Sequence, residues 1–132
     1  MKGIIVNPQL IAAVAIGGAI GSVARYLVGI TSGRFFGLNF PWGTLIINIV
    51  GSFLIGAFVE SFALRWDLSQ FWRVFLTVGI CGGFTTFSTF SLDAYLLMDR
   101  GQLSTAVAYM AASVVLSILG LFAGLQLIRA VF

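Results

Sequence analysis

Residues 82–91, Gly82-Gly83-Phe84-Thr85-Thr86-Phe87-Ser88-Thr89-Phe90-Ser91, set two adjacent glycines, three threonines and two serines inside a strongly apolar part of the chain. A membrane helix ordinarily carries leucine, valine or isoleucine at such positions. Glycine weakens a helix by about 1 kcal/mol relative to alanine. Irregular backbone survives at membrane depth only where protein buries it or where it lines a cavity. The stretch therefore reads either as a break in a membrane helix at a site or as a glycine-lined packing face on a continuous helix.

The surrounding chain belongs in lipid. Of its 132 residues 60% are hydrophobic and 8% charged, with a mean hydropathy of +1.10, whereas a soluble domain carries about 25% charged residues. A span needs roughly 20 apolar residues, which leaves room for four helices. Four apolar runs bounded by polar or charged residues fall at about 9–30, 43–64, 71–98 and 104–131. The expected fold is an all-α integral membrane protein, a single four-helix transmembrane domain over residues 1–132. Its third helix is expected to break near the middle, where Gly79, Gly82 and Gly83 cluster. Lys2 ahead of an apolar run with Ala13-Val14-Ala15 has the outline of a signal peptide. The triplet lies inside the run, so a retained helix is expected. Trp42 after Pro41, with Trp66 and Trp72, reads as an interfacial aromatic belt.

Several chemistries are excluded. Cys81 stands alone, there is no histidine, and no Cys, Asp or Glu cluster has metal-ligand spacing, so the chain does not read as an enzyme. A net charge of +3 spread thinly along the chain gives no surface for nucleic acid. Four helices put both termini on one face with Lys2, Arg65, Arg73 and Arg129, against Arg25, Arg34 and Arg100 on the other. Such near balance gives the positive-inside rule little to act on. Either other features set one orientation, or the chain inserts both ways and yields antiparallel partners. Gly17 with Gly21, Gly29 with Gly33 and Gly37, and Gly120 with Gly124 have helix-packing spacing, within one chain or between copies.

Polar residues inside the spans need partners or work. Thr44, Asn48 and Ser52 recur every fourth residue on the second helix, and Tyr109, Ser113 and Ser117 on the fourth. As interhelical glue such groups contribute about 0.6 kcal/mol each; as two facing stripes they line a wet groove. They offer donors and no fixed charge, whereas a cation path is more naturally lined by carboxylates or carbonyls. Phe87 and Phe90 share a helix face, as do Ser88 and Ser91. A ring edge is positive and can meet a small anion without trapping it; packing against lipid or core is the plainer role. Arg25 either snorkels to the interface or draws anions toward an opening. Asp93 beside an anion path must be paired or protonated. A broken third helix exposes backbone carbonyls able to hold a cation.

The patterns GGxxTFSTFS (Gly82–Ser91), GTLxxNxxG (Gly43–Gly51) and GxxxR-aromatic (Gly21–Tyr26) together resemble the bacterial fluoride channel family of the Fluc or CrcB type. The resemblance implies a dual-topology, antiparallel homodimer in the bacterial plasma (inner) membrane, with two fluoride pores along the subunit interface. It implies passive export of fluoride from the cytoplasm, which lowers its toxic accumulation. It also implies a structural Na⁺ at the dimer centre, held by the backbone carbonyls of Gly82 and Thr85 from both copies. The fluoride pathway would comprise Asn48, Phe87, Phe90, Ser88, Thr89, Ser91, Tyr109, Ser113 and Ser117. Thr44 would stand at the pore mouth and Arg25 in the vestibule. Asp93 stands where the family is expected to carry a glutamate.

Two other classes compete. A small multidrug-resistance transporter also has four helices but needs a membrane-embedded carboxylate in its first helix, where this chain has only Arg25. A structural or regulatory membrane subunit would explain the packing glycines and leave the hydroxyl stripes idle.

Overall fold

The computed structural model describes residues 5–132, and every regular element among them is helical. Lys2, counted above with the charges of the terminal face, lies outside the described residues. The elements are α1 (Pro8–Phe36), α2 (Trp42–Leu64), α3 (Gln70–Val74), a π-helical segment (Phe75–Cys81), α4 (Gly82–Phe84), α5 (Phe87–Asp99) and α6 (Leu103–Val131). Together they make four candidate membrane spans, Pro8–Phe36, Trp42–Leu64, Gln70–Asp99 and Leu103–Val131.

The first span begins at a regular start signal. Asn7 accepts from the Gln9 amide at 2.9 Å, and Pro8 supplies a helical φ where no amide is needed. It continues six residues beyond the expected end at Ile30, because Thr31 through Arg34 do not stop a helix. Thr31 returns its hydroxyl to Leu27 O at 2.8 Å within the same helix. Termination comes at Gly37, whose φ of 79° suits glycine.

Within the third span, Gly82 is helical (φ −63°, ψ −38°), as are Gly83 and Phe84. The extended dihedrals fall at Thr85 (φ −80°, ψ 157°) and Thr86 (φ −152°, ψ 122°). Gly79 and Gly83 serve close approach instead, whereas a Cβ on Gly82 would meet only Thr77 O at 3.7 Å. A Cβ on Gly79 would lie 2.9 Å from Gly17 Cα, and one on Gly83 would lie 2.6 Å from Gly18 O. The first half of the third span thus rests against α1 backbone to backbone. α2 packs most extensively on α6, again across glycine: a Cβ on Gly124 would overlap the Phe53 carbonyl. At the end of that pair the buried Glu60 carboxylate meets Arg129 Nε at 3.2 Å.

The core gathers at one end, where Leu45, Ala94, Leu97, Ala106 and Tyr109 are buried with Phe90 and Phe40 packed against them. Large apolar side chains cover the outside, among them Ile16, Ile20 and Val23 on α1 and Val114, Ile118 and Phe122 on α6. That surface suits hydrocarbon, and the chain is a multi-pass membrane protein.

Candidate functional site

The site is built around Thr86. Its amide donates to Asn48 Oδ1 at 2.9 Å, and its carbonyl accepts from Asn48 Nδ2 at 3.1 Å. The α2 side chain thereby supplies both bonds that a neighbouring peptide would give, which is what an extended residue in an apolar setting requires. Thr86 Oγ1 then accepts from the Thr89 amide at 3.2 Å, the N-cap of α5. Sequence reasoning overlooked Thr86 itself; the Thr-x-x-Thr spacing from Thr86 to Thr89 ahead of an apolar run was the available signal.

Those bonds have a consequence for the preceding carbonyls. In a continuous helix the Thr86 amide would serve Gly82 O and the Thr89 amide would serve Thr85 O. Here the first goes to Asn48 and the second to Thr86 Oγ1. Gly82 O and Thr85 O have therefore lost their helical donors, and backbone oxygens of this kind fit a hard cation. Among the described residues no group of three or more His, Cys, Asp or Glu side chains is placed to hold a metal. Between them, Gly83 O accepts from Arg25 Nε at 3.2 Å and lies 3.5 Å from Ser22 Oγ.

Beside Thr86 opens a groove of about 340 Å³ lined by Asn48, Ser52, Thr85, Phe87, Phe90, Ser113 and Ser117, among others. It brings together five of the expected pathway residues from three spans. Its lining contains no charged side chain. Ser113 is buried, and its Oγ is the buried side-chain polar atom without a hydrogen-bond partner among the described residues. The rings of Phe87 and Phe90 lie 5.5 Å apart at 51°. Phe87 is 78% exposed, whereas Phe90 is half-buried against Tyr109 at 5.3 Å.

A second, larger groove of about 820 Å³ shares Thr86 with the first and holds Arg25, Thr44, Thr89 and Asp93, with Arg34 and Arg100. It is the charged side of the site. Asp93 is paired: Tyr109 donates its hydroxyl to Asp93 Oδ2 at 3.2 Å. Tyr109 is fully buried and lines neither groove. Its ring edge meets Phe40 at 5.5 Å and 88°, so it joins the core to both grooves through Phe90 and Asp93. Ser88 and Ser91 also line neither groove. Ser91 turns its hydroxyl back to Phe87 O at 3.0 Å, and Ser88 lies 3.4 Å from Thr86 Oγ1.

The comparisons with known proteins agree with one another. The family model described as "CrcB-like protein, Camphor Resistance (CrcB)" matches residues 12–125. A relative from Nitrobacter hamburgensis named fluoride-specific ion channel FluC 1 is 64% identical, over 90% of this chain and 94% of its own length. Relatives named fluoride-specific ion channel FluC from Nitrobacter winogradskyi and Agrobacterium fabrum are 61% and 60% identical, each over 92% of this chain and 96% and 98% of their own. With this extent of match, the chain belongs to the CrcB-like family.

Proposed function

We propose that the protein is a fluoride-selective, passive ion channel that exports fluoride from the cytoplasm across the bacterial inner membrane. The observation that carries this reading is the uncharged groove in which Asn48, Phe87, Phe90, Ser113 and Ser117 meet, in a chain whose relatives bear the name fluoride-specific ion channel. A small anion leaving water needs donors that replace its hydration yet release it. Ser113 has an uncommitted hydroxyl, and the ring edges of Phe87 and Phe90 add weak positive potential. With no fixed cation in the lining, nothing there traps the ion. The reading contains no bond-making step, so the protein is not an enzyme.

The functional unit is an antiparallel homodimer with two pores at the subunit interface. Polar groups of the groove open outward past an exposed Phe87, and lipid leaves such groups unpaired. A second copy closes that side. Four cationic residues against three on the two faces suit insertion in both directions.

The third span works as a broken helix. Gly82 O and Thr85 O, freed by the diverted amides of Thr86 and Thr89, pair with their counterparts in the second copy to hold a structural Na⁺ at the dimer centre. The bound cation offsets the convergent carbonyl dipoles there. Asn48 fixes the backbone that presents the oxygens, and Thr86 Oγ1 starts the helix that carries Phe87 and Phe90.

Liposomes loaded with potassium fluoride and reconstituted with the protein, with a potassium ionophore added so that K⁺ leaves with the anion, should release fluoride within seconds to minutes, followed with a fluoride electrode. Release no faster than from protein-free vesicles contradicts the reading.

A further inference from the structure

Gly83 O lies in the chain between Gly82 O and Thr85 O, and it receives Arg25 Nε from α1 at 3.2 Å. A guanidinium stays charged at any physiological pH, and this one is half-buried. The C-terminal end of a helix concentrates partial negative charge on its last carbonyls. Arg25 therefore places a fixed positive charge at the end of α4 that a bound cation would also occupy.

We infer that Arg25 is a positioning residue for the cation proposed at Gly82 and Thr85: it holds Gly83 O out of the ligand set and, by its charge, weakens cation binding at the neighbouring oxygens. Ser22 Oγ reaches the same oxygen at 3.5 Å without a charge. The other charged groups of the groove that Arg25 lines, Arg34, Asp93 and Arg100, make no hydrogen bond to Gly83 O. Arg100 donates to Asn39 O and Asp93 accepts from Tyr109. An arginine that only drew anions to the mouth would need no bond to the backbone of the break. This inference rests on the cation reading above.

The test reads the backbone, independently of fluoride flux. Amide hydrogen exchange over residues 82–87 is followed in the full-length protein in nanodiscs, with NaCl titrated against N-methyl-D-glucamine chloride at constant ionic strength. In the wild type Na⁺ slows exchange with a measurable midpoint. Arg25→Gln lowers that midpoint by about fivefold or more, the scale of an ordinary coupling between two sites. Arg25→Lys, which keeps the charge, and Ser22→Ala, which removes only the neutral donor, stay within about twofold of wild type. Arg25→Met serves as the second neutral variant should Arg25→Gln fail to fold, and its midpoint is read the same way. A sodium response whose midpoint is unchanged or raised in the neutral variants, or lowered equally in Ser22→Ala, overturns the inference alone. No sodium response in the wild type overturns the cation reading and this inference with it, and leaves the fluoride reading to its own assay.

Discussion

The side-chain amide of Asn48 and the backbone of Thr86 exchange two hydrogen bonds, at 2.9 and 3.1 Å, across 38 residues of sequence. Asn48 acts there as a substitute peptide for an extended residue. Asn48→Ala leaves the Thr86 amide and carbonyl unpaired and should cost about 1–3 kcal/mol. Asn48→Asp keeps the acceptor, loses the donor, and adds a negative charge to the groove. Its fluoride efflux should fall by more than about tenfold, the equivalent of at least 1.4 kcal/mol. Thermal unfolding and electrode-monitored efflux check the two; wild-type values for both variants contradict the assignment.

Ser113 separates a functional hydroxyl from a structural one. Its Oγ has no partner among the described residues, so Ser113→Ala removes no bond from the fold. Stability should be unchanged or raised by about 1 kcal/mol, while efflux slows. A variant that unfolds more easily yet conducts normally would reverse this ordering.

Phe87 and Phe90 should divide in the same way. Phe90 packs on the buried Tyr109 ring at 5.3 Å and on the core at the groove end, whereas Phe87 is 78% exposed in the single chain. Phe90→Ile should cost about 1 kcal/mol through lost aromatic contact, and Phe87→Ile much less. Both should reduce fluoride throughput with the protein still folded. Undiminished efflux in both would make these rings packing elements only.

Glycines of one helix need not matter equally, and α1 offers a sharp contrast. A Cβ on Gly21 would overlap the Ile80 carbonyl and lie 2.8 Å from the Phe84 amide, while Gly18 has nothing within 4 Å of its own. Gly21→Ala should destabilise by about 1–3 kcal/mol and disturb α4. Gly18→Ala should be neutral or gain up to about 1 kcal/mol in helix propensity. Unfolding in detergent, compared side by side, decides the matter.

The four spans were legible because apolar runs and their charged borders are a property of each segment alone. Of the two polar stripes, fourfold spacing put Asn48 and Ser52, and Ser113 and Ser117, on faces that the structure brings to one groove. Thr44 lines the other groove, and Tyr109 is buried in the core. The place where the third span leaves helical dihedrals was not legible. Glycine propensity pointed to Gly82 and Gly83, but its cost of about 1 kcal/mol is small beside close packing, and Gly83 is used against Gly18. The extended residues are instead Thr85 and Thr86, selected by a bond from Asn48 on another helix. A long-range partner of that kind leaves no local periodicity. Asp93 was expected to be paired or protonated, but the identity of its partner, Tyr109, escaped for the same reason. Ser91, to which the family resemblance gives a pathway role, instead returns its hydroxyl to Phe87 O four residues back, a local bond open to a helical serine.

The central claim is selective passage of a small anion through an uncharged groove. Paired efflux from the same proteoliposome preparation, loaded once with potassium fluoride and once with potassium chloride and made potassium-permeable with an ionophore, tests it most directly. Fluoride should leave rapidly, with chloride release indistinguishable from protein-free vesicles. Comparable rates for the two ions would contradict it.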